Sequence, residues 1–263
     1  MPKAKLNGID IYYEVYGSGE PLLLITGLGG SIIDWLYQIP PLSRHFQVIA
    51  IENRGAGRTE KPEEHSIELY AQDCVALLDH LSIPSANVFG ISMGGMIGQQ
   101  MALDHRERVR SLILAATDAC PAAWPPVPSV NESVMRASVA TSLREVFDET
   151  AWIGYSADFL AEHKDDLWLL AQLRQPLMPP PDQWQKQLGA VMGFDVRERV
   201  DQIDAPTLVL HGDADVVVPL AGGAYLAERI KGARMITIPG TGHYFVIEAA
   251  DRTNQAVIDF LTR

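Results

Sequence analysis

The sequence predicts an α/β protein: a mostly parallel central sheet flanked by helices on both faces. Three observations carry this. Short runs that are apolar at consecutive positions recur along the chain, as strands covered on each side require. Stretches of helical period alternate with those runs. One long segment, residues 120–196, interrupts the alternation and has no strand pattern.

The elements follow in order. KAKL, Asn7-Gly8 and IDIYYEVYG form a hairpin signal, because Asn-Gly suits a two-residue turn with positive φ. This hairpin is expected to add antiparallel strands at one edge of the sheet. LLLIT then reads as a buried strand, and so do Phe46–Ile51, Asn87–Ile91, Ser111–Ala116, Thr207–Gly212 and Arg234–Gly240. Over Ser66–Leu81 the residues Ile67, Tyr70, Ala71, Cys74, Val75, Leu78 and Leu81 share one helix face. Met93–Leu103, Leu220–Ile230 and Asp251–Leu261 have the same period.

From Cys120 to Val196 the prolines punctuate helical patterns such as Ser133–Phe147 and Asp165–Leu173. Four of the five tryptophans fall there: Trp124, Trp152, Trp168 and Trp184. The expected organisation is a core of residues 1–119 and 197–263, with residues 120–196 inserted as a helical lid.

Composition narrows the partners. With 263 residues and 47% hydrophobic content, the chain can bury one core plus an insertion. A net charge of -12 argues against nucleic acids and acidic membranes, whose binding relies on Lys and Arg. Cys74 and Cys120 make no disulfide framework, and no Cys/His spacing suggests a metal. The first ten residues lack the apolar stretch of a signal peptide, and no run reaches membrane-spanning length. A soluble, cytoplasmic protein is expected, with no nucleic-acid or membrane partner.

In open parallel sheets, ligands bind beyond the carboxyl ends of the strands. Three residue types of acyl-transfer chemistry follow predicted strands at that end. Ser92 follows NVFGI, Asp213 and Asp215 follow TLVLHG, and His243 follows RMITIPG. In GISMGG, Gly90 and Gly94 leave room for a serine held on a sharp strand-to-helix turn. Gly95 and Gly98 would let the next helix lie close to the sheet. That helix start also aims N–H groups and a positive dipole end at a developing oxyanion. Met96 and Met101 read as helix core, and His211 as a structural histidine at a strand end.

GISMGG, DADVVVP and GTGH on this strand pattern resemble the α/β-hydrolase fold over nearly the whole chain. More narrowly, YYEVYGSGEPLLLITGLGGSIIDW, NRGAGRTEKP and LDHLSIPSANVFGISMGGMIGQQMAL resemble 3-oxoadipate enol-lactonases and related small carboxylic-ester hydrolases. The resemblance implies Ser92 as nucleophile and His243 as base. It also implies Asp215 as the acid, since the family places Asp four residues before a Pro in this loop. The backbone N–H groups of Leu28 and Met93 would form the oxyanion hole. The chain departs from the family at Thr26, where His is usual, and at Glu52 and Thr59, where Asp and Ser are usual.

The implied activity is hydrolysis of a small-molecule ester or lactone through an acyl-enzyme, with no metal or organic cofactor. Carbon–carbon bond hydrolysis of a diketone and peracid formation would use the same residues. A receptor that keeps the fold but turns over slowly is the alternative of another class. Dehalogenase and epoxide hydrolase chemistry needs Asp where this chain has Ser92. Trp35, Trp124 and Trp152 are candidates for the pocket wall, with core packing the other reading of Trp35. No basic cluster marks a grip for a substrate carboxylate; Arg174 in the lid is a candidate for one.

Overall fold

The computed structural model describes residues Lys3–Thr262; Met1, Pro2 and Arg263, at the ends of the expected core, lie outside it. Eight strands form one sheet: β1 (Lys3–Leu6), β2 (Ile9–Tyr16), β3 (Glu20–Ile25), β4 (Phe46–Ile51), β5 (Ala86–Ile91), β6 (Val109–Ala115), β7 (Thr207–Gly212) and β8 (Arg234–Ile238). Their spatial order is β1-β2-β4-β3-β5-β6-β7-β8. The β1/β2 and β2/β4 pairs are antiparallel, and every other pair is parallel. The hairpin turn has φ 48° at Asn7 and φ 85° at Gly8, the positive pair that Asn-Gly accommodates.

The order has one reversal. From β3 the chain steps to β4 on one side, then crosses to β5 on the other. The loops after β3 and β5 therefore open onto one crevice, where ligands bind in such sheets.

Each strand divides its side chains between two cores, because successive residues point to opposite faces. Leu23, Ile25, Ile49, Ile51, Val88 and Leu112 belong to one core, with the helices α2 (Ile67–His80), α3 (Met93–Asp104) and α8 (Leu220–Arg229). Met96 and Met101 lie in this core, as expected. Leu22, Leu24, Val48, Ala50, Phe89 and Ile113 belong to the other. That face is covered by the short helices α1 (Ile39–Leu42) and α9 (Phe245–Glu248) and by α10 (Ala250–Leu261). Burying each such Leu or Ile contributes about 1.5–3 kcal/mol. Ser66 caps α2, its hydroxyl accepting from Leu69 N–H at 3.2 Å.

Between β6 and β7 run four α-helices: α4 (Pro128–Ser138), α5 (Leu143–Gly154), α6 (Ala157–Arg174) and α7 (Pro181–Met192). The expectation of one helix over Ser133–Phe147 is corrected here. The chain breaks at Val139–Ser142 because Ser142 starts a new helix, accepting from Glu145 N–H at 3.3 Å while Glu145 takes Thr141 N–H at 2.7 Å. Ser-x-x-Glu is a helix-start pattern, and apolar periodicity ran through it. Cys74 and Cys120 are free and buried. Among the described residues, no helix is long and apolar enough to cross a membrane.

Candidate active site

Every residue from Ala86 to Leu103 is buried except Ser92. Ser92 sits between β5 and α3 with φ 55° and ψ -121°, a conformation that costs a non-glycine residue about 1–3 kcal/mol. The surroundings hold it there. Its N–H donates to Ala115 O at 2.8 Å, and its carbonyl accepts from Gly95 N–H at 2.8 Å and from Thr117 Oγ1 at 2.8 Å.

The flanking glycines are required by contact. A Cβ on Gly90 would lie 2.1 Å from Gly94 O, and one on Gly94 would lie 2.1 Å from Ile25 O. The turn closes only without side chains at both positions. A Cβ on Gly98 would come within 3.0 Å of Leu112 Cδ1, so α3 does lie close on the sheet.

Strand register sets the partners at the same edge. Ile91 aligns with Ala115, Ala115 with Leu210, and Leu210 with Ile236. The loops carrying Ser92, Asp215 and His243 thus all leave the C-terminal side of neighbouring strands. His243 Nδ1 lies 2.8 Å from Asp215 Oδ2. The other carboxylate oxygen of Asp215 accepts from Val217 N–H at 2.8 Å and Val218 N–H at 2.9 Å.

Burial by itself pushes the Asp215 carboxyl up. The charge of His243 and hydrogen bonds from His211 and His243 outweigh it, holding the group well below the usual carboxylate range. An ionised carboxylate only accepts, so His243 Nδ1 carries the hydrogen and Nε2 is the ring nitrogen without it. Asp213 is exposed and takes Gly240 N–H at 2.7 Å, which separates it from His243.

The loop after β3 lies against Ser92. A Cβ on Gly27 would be 3.2 Å from Ser92 Cβ and 3.7 Å from its Oγ. Gly30 N–H bonds Gly27 O at 3.1 Å, and Gly29 has φ 70°, the signature of a type II turn with Leu28 and Gly29 at its centre. Thr26 is fully buried, and Asn53 Nδ2 donates to its carbonyl at 3.0 Å. Met93, the first residue of α3, has an N–H without an intrahelical acceptor.

The other departures are accommodated. The Glu52 side chain is buried and pairs with Arg58 Nη2 at 2.6 Å. Thr59 Oγ1 donates to Glu52 O at 2.7 Å and accepts from Tyr12 N–H at 2.9 Å. Arg54 forms a two-pronged buried bond with Asp73, at 2.7 and 2.8 Å, that ties the turn to α2.

The tryptophans divide. Trp35 is fully buried, 4.9 Å from the Phe89 ring, in the core. Trp124 is half-buried, with Nε1 3.6 Å from where a Gly222 Cβ would stand. Trp152 is half-buried and donates to Ser133 Oγ at 3.0 Å, bridging α5 to α4. Arg174 is already occupied: its Nε lies 2.7 Å from Asp34 Oδ1, and Nη2 donates to Tyr244 Oη at 3.0 Å.

Two residues near the site, Asp118 and Gln187, were not found from sequence, and a third, His211, was read only as a structural histidine. His211 is fully buried; its Nε2 is 2.9 Å from Val218 O and 3.5 Å from Asp215 Oδ2, so it touches the acid as well as packing. Asp118, in the loop after β6, is buried with Oδ1 unpartnered, and burial pushes its carboxyl up to about 6. Its position after a strand end was the signal available. Gln187 of α7 is fully buried and reaches the loop after β3.

Known proteins support the architecture. A family model described as alpha/beta hydrolase fold matches residues 20–250. A protein of Variovorax paradoxus (strain S110), provisionally named carbamate hydrolase RutD, is 31% identical, with 97% of each chain covered. The crystal structure of the enol-lactonase from Burkholderia xenovorans LB400 superposes with a TM-score of 0.88 at 28% identity, covering 100% of each chain. Est816, described as an N-acyl homoserine lactone degrading enzyme, superposes with a TM-score of 0.87 at 28% identity, covering 98% of this chain and 100% of its own.

Proposed function

The chain belongs to the alpha/beta hydrolase fold family, and from that premise we propose that it is a serine hydrolase of small carboxylic esters or lactones. The observation that carries the reading is Ser92, the one residue not buried in an otherwise buried strand–turn–helix unit, held at positive φ. Strain of this kind persists where a site needs it.

In this reading Ser92 Oγ attacks the acyl carbon while His243 Nε2 takes its proton. Asp215 fixes the imidazole tautomer and offsets the charge that forms on it. The oxyanion is held by the N–H groups of Leu28 and Met93; one such donor typically lowers the barrier by about 2.7–4 kcal/mol. His243 then protonates the leaving alcohol, the acyl group remains on Ser92, and water attacks that ester with His243 again as base. Side chains and backbone supply every step, so the reaction calls on no metal or organic cofactor.

The helices of residues 120–196 act as the lid and pocket roof, with Trp124 and Trp152 as candidate walls. Lactones are favoured within the substrate class because one similar solved structure is described as an enol-lactonase and another as an N-acyl homoserine lactone degrading enzyme. A carbamate presents the same kind of acyl carbon and belongs in the same assay, given the name of the Variovorax relative.

The test is hydrolysis of p-nitrophenyl esters of increasing acyl length, a lactone panel and an aryl carbamate by the parent and by Ser92→Ala. Multiple turnover by the parent alone supports the proposal. Equal rates remove Ser92 from the chemistry, and binding without turnover on any substrate moves the protein to the receptor class.

A further inference from the structure

Gln187 makes two hydrogen bonds, both to backbone outside its own helix. Its Oε1 accepts from Gly29 N–H at 2.8 Å, and its Nε2 donates to Arg54 O at 3.0 Å. The side chain is fully buried. A glutamine sealed inside a helix–core contact is costly unless its amide is satisfied, and here both ends of the amide are used to bridge two core loops.

One of those loops is the turn against Ser92. The peptide joining Leu28 to Gly29 is the central peptide of a type II turn, and rotation of that peptide interconverts type II and type I. The bond from Gly29 N–H to Gln187 fixes its orientation, and through the Leu28 Cα it restrains the preceding Gly27–Leu28 peptide, which carries the Leu28 N–H. Trp184, one turn earlier on α7, packs against the same glycine: a Cβ on Gly29 would stand 3.3 Å from its Cδ1. On the other side, Gly57 N–H donates to Leu177 O at 3.1 Å. The segment leading into α7 is thus fastened to the β4 turn and α7 itself to the oxyanion loop.

We propose that Gln187 is a positioning residue for the oxyanion loop, so that the Leu28 donor is aligned over Ser92 only while α7 is seated on the core. The proposal rests on the serine-hydrolase reading above, in which Leu28 N–H holds the oxyanion. Its consequence is that lid movement and catalytic competence are one event: a lid lifted for substrate entry leaves the turn without its outer restraint, and closure restores it.

The experiment compares Gln187→Met, which keeps the volume and removes both bonds, with Gln183→Met. Gln183 is a buried neighbour on α7 whose Oε1 lies 3.1 Å from His65 Nε2 and which has no bond to Gly29. The readouts are kcat and KM for a p-nitrophenyl ester, inhibition by a boronic acid that forms a tetrahedral adduct on serine, and Tm. Gln187→Met is expected to lower kcat about 10- to 100-fold with KM within about threefold, because a misaligned donor is lost mainly in the transition state. Boronate inhibition should weaken by a similar factor. Gln183→Met should lose comparable Tm while keeping kcat within about threefold. An unchanged kcat in Gln187→Met overturns the proposal, and so does an equal loss in Gln183→Met, which would make the effect one of helix stability. Ser92→Ala runs beside them: turnover surviving in that variant would unseat the underlying hydrolase reading instead.

Discussion

Asp215 and His243 meet through a single 2.8 Å bond between Oδ2 and Nδ1, while the second oxygen of Asp215 is tied to the backbone of its own loop. The carboxylate is therefore oriented before any substrate arrives. Asp215→Asn should keep the fold but lower kcat by roughly 10⁴-fold, since an amide favours the wrong imidazole tautomer. Asp213→Asn should stay within about threefold of the parent, because that residue's bond to Gly240 N–H is structural. Comparable losses in the two variants would undo the assignment.

Ser92 stores strain that glycine would release. Ser92→Gly should be inactive yet more stable: the positive φ costs about 1–3 kcal/mol, and the added chain entropy of glycine offsets about 0.5–1 kcal/mol of the gain. A net gain near 1 kcal/mol corresponds to a Tm higher by about 2–4 °C. Calorimetry showing an unchanged or lower Tm would mean that the elbow is not strained in this sense.

Asp118 gives the stability a pH dependence of known sign. Burial raises its carboxyl from 3.8 to about 6, so between those values the native state keeps a proton that the unfolded chain has lost. The advantage is full below about 4 and disappears as pH rises through about 6, a difference on the order of 3 kcal/mol. Asp118→Asn, neutral in both states, should be more stable than the parent at pH 8 and nearly equal at pH 4. A gain in Tm that is the same at both pH values would contradict this.

Arg174 is held by a buried carboxylate. Arg174→Leu would leave Asp34, whose side chain is 8% exposed, without its cation at a cost of about 3–5 kcal/mol. Adding Asp34→Asn should recover a large part of that loss. Simple additivity of the two changes in denaturant melts would show that the residues are not coupled.

Much of the candidate site was legible because its signals are local. Ser92 between two glycines, Asp215 four residues before Pro219, and His243 after a strand each announce themselves within a few positions, and strand alternation places all of them on one edge. The α/β-hydrolase fold was legible for the same reason. The bonding of Gln187 and the pairing of Arg174, which sequence offered only for a substrate carboxylate, were not, because their partners Gly29 and Asp34 are more than a hundred residues away in sequence. Trp35 shows a different limit: an aromatic after a strand reads equally as wall or core, and only its packing on Phe89 places it in the core. The break at Val139–Ser142 was visible as Ser142-x-x-Glu145, a short polar signal overridden by a longer apolar one.

The unit from Ala86 to Leu103, buried at every position but one, also says where new specificity can be sought. Its residues are locked to one another by contacts as short as those between Gly90 and Gly94, so a randomised library there would return mostly unfolded chains. The helices between β6 and β7 carry many exposed positions and meet the core at a few fastening points, Gln187 and Arg174 among them. A designer seeking another substrate would diversify those helices and leave the fastenings untouched, treating the strand–serine–helix unit as fixed hardware.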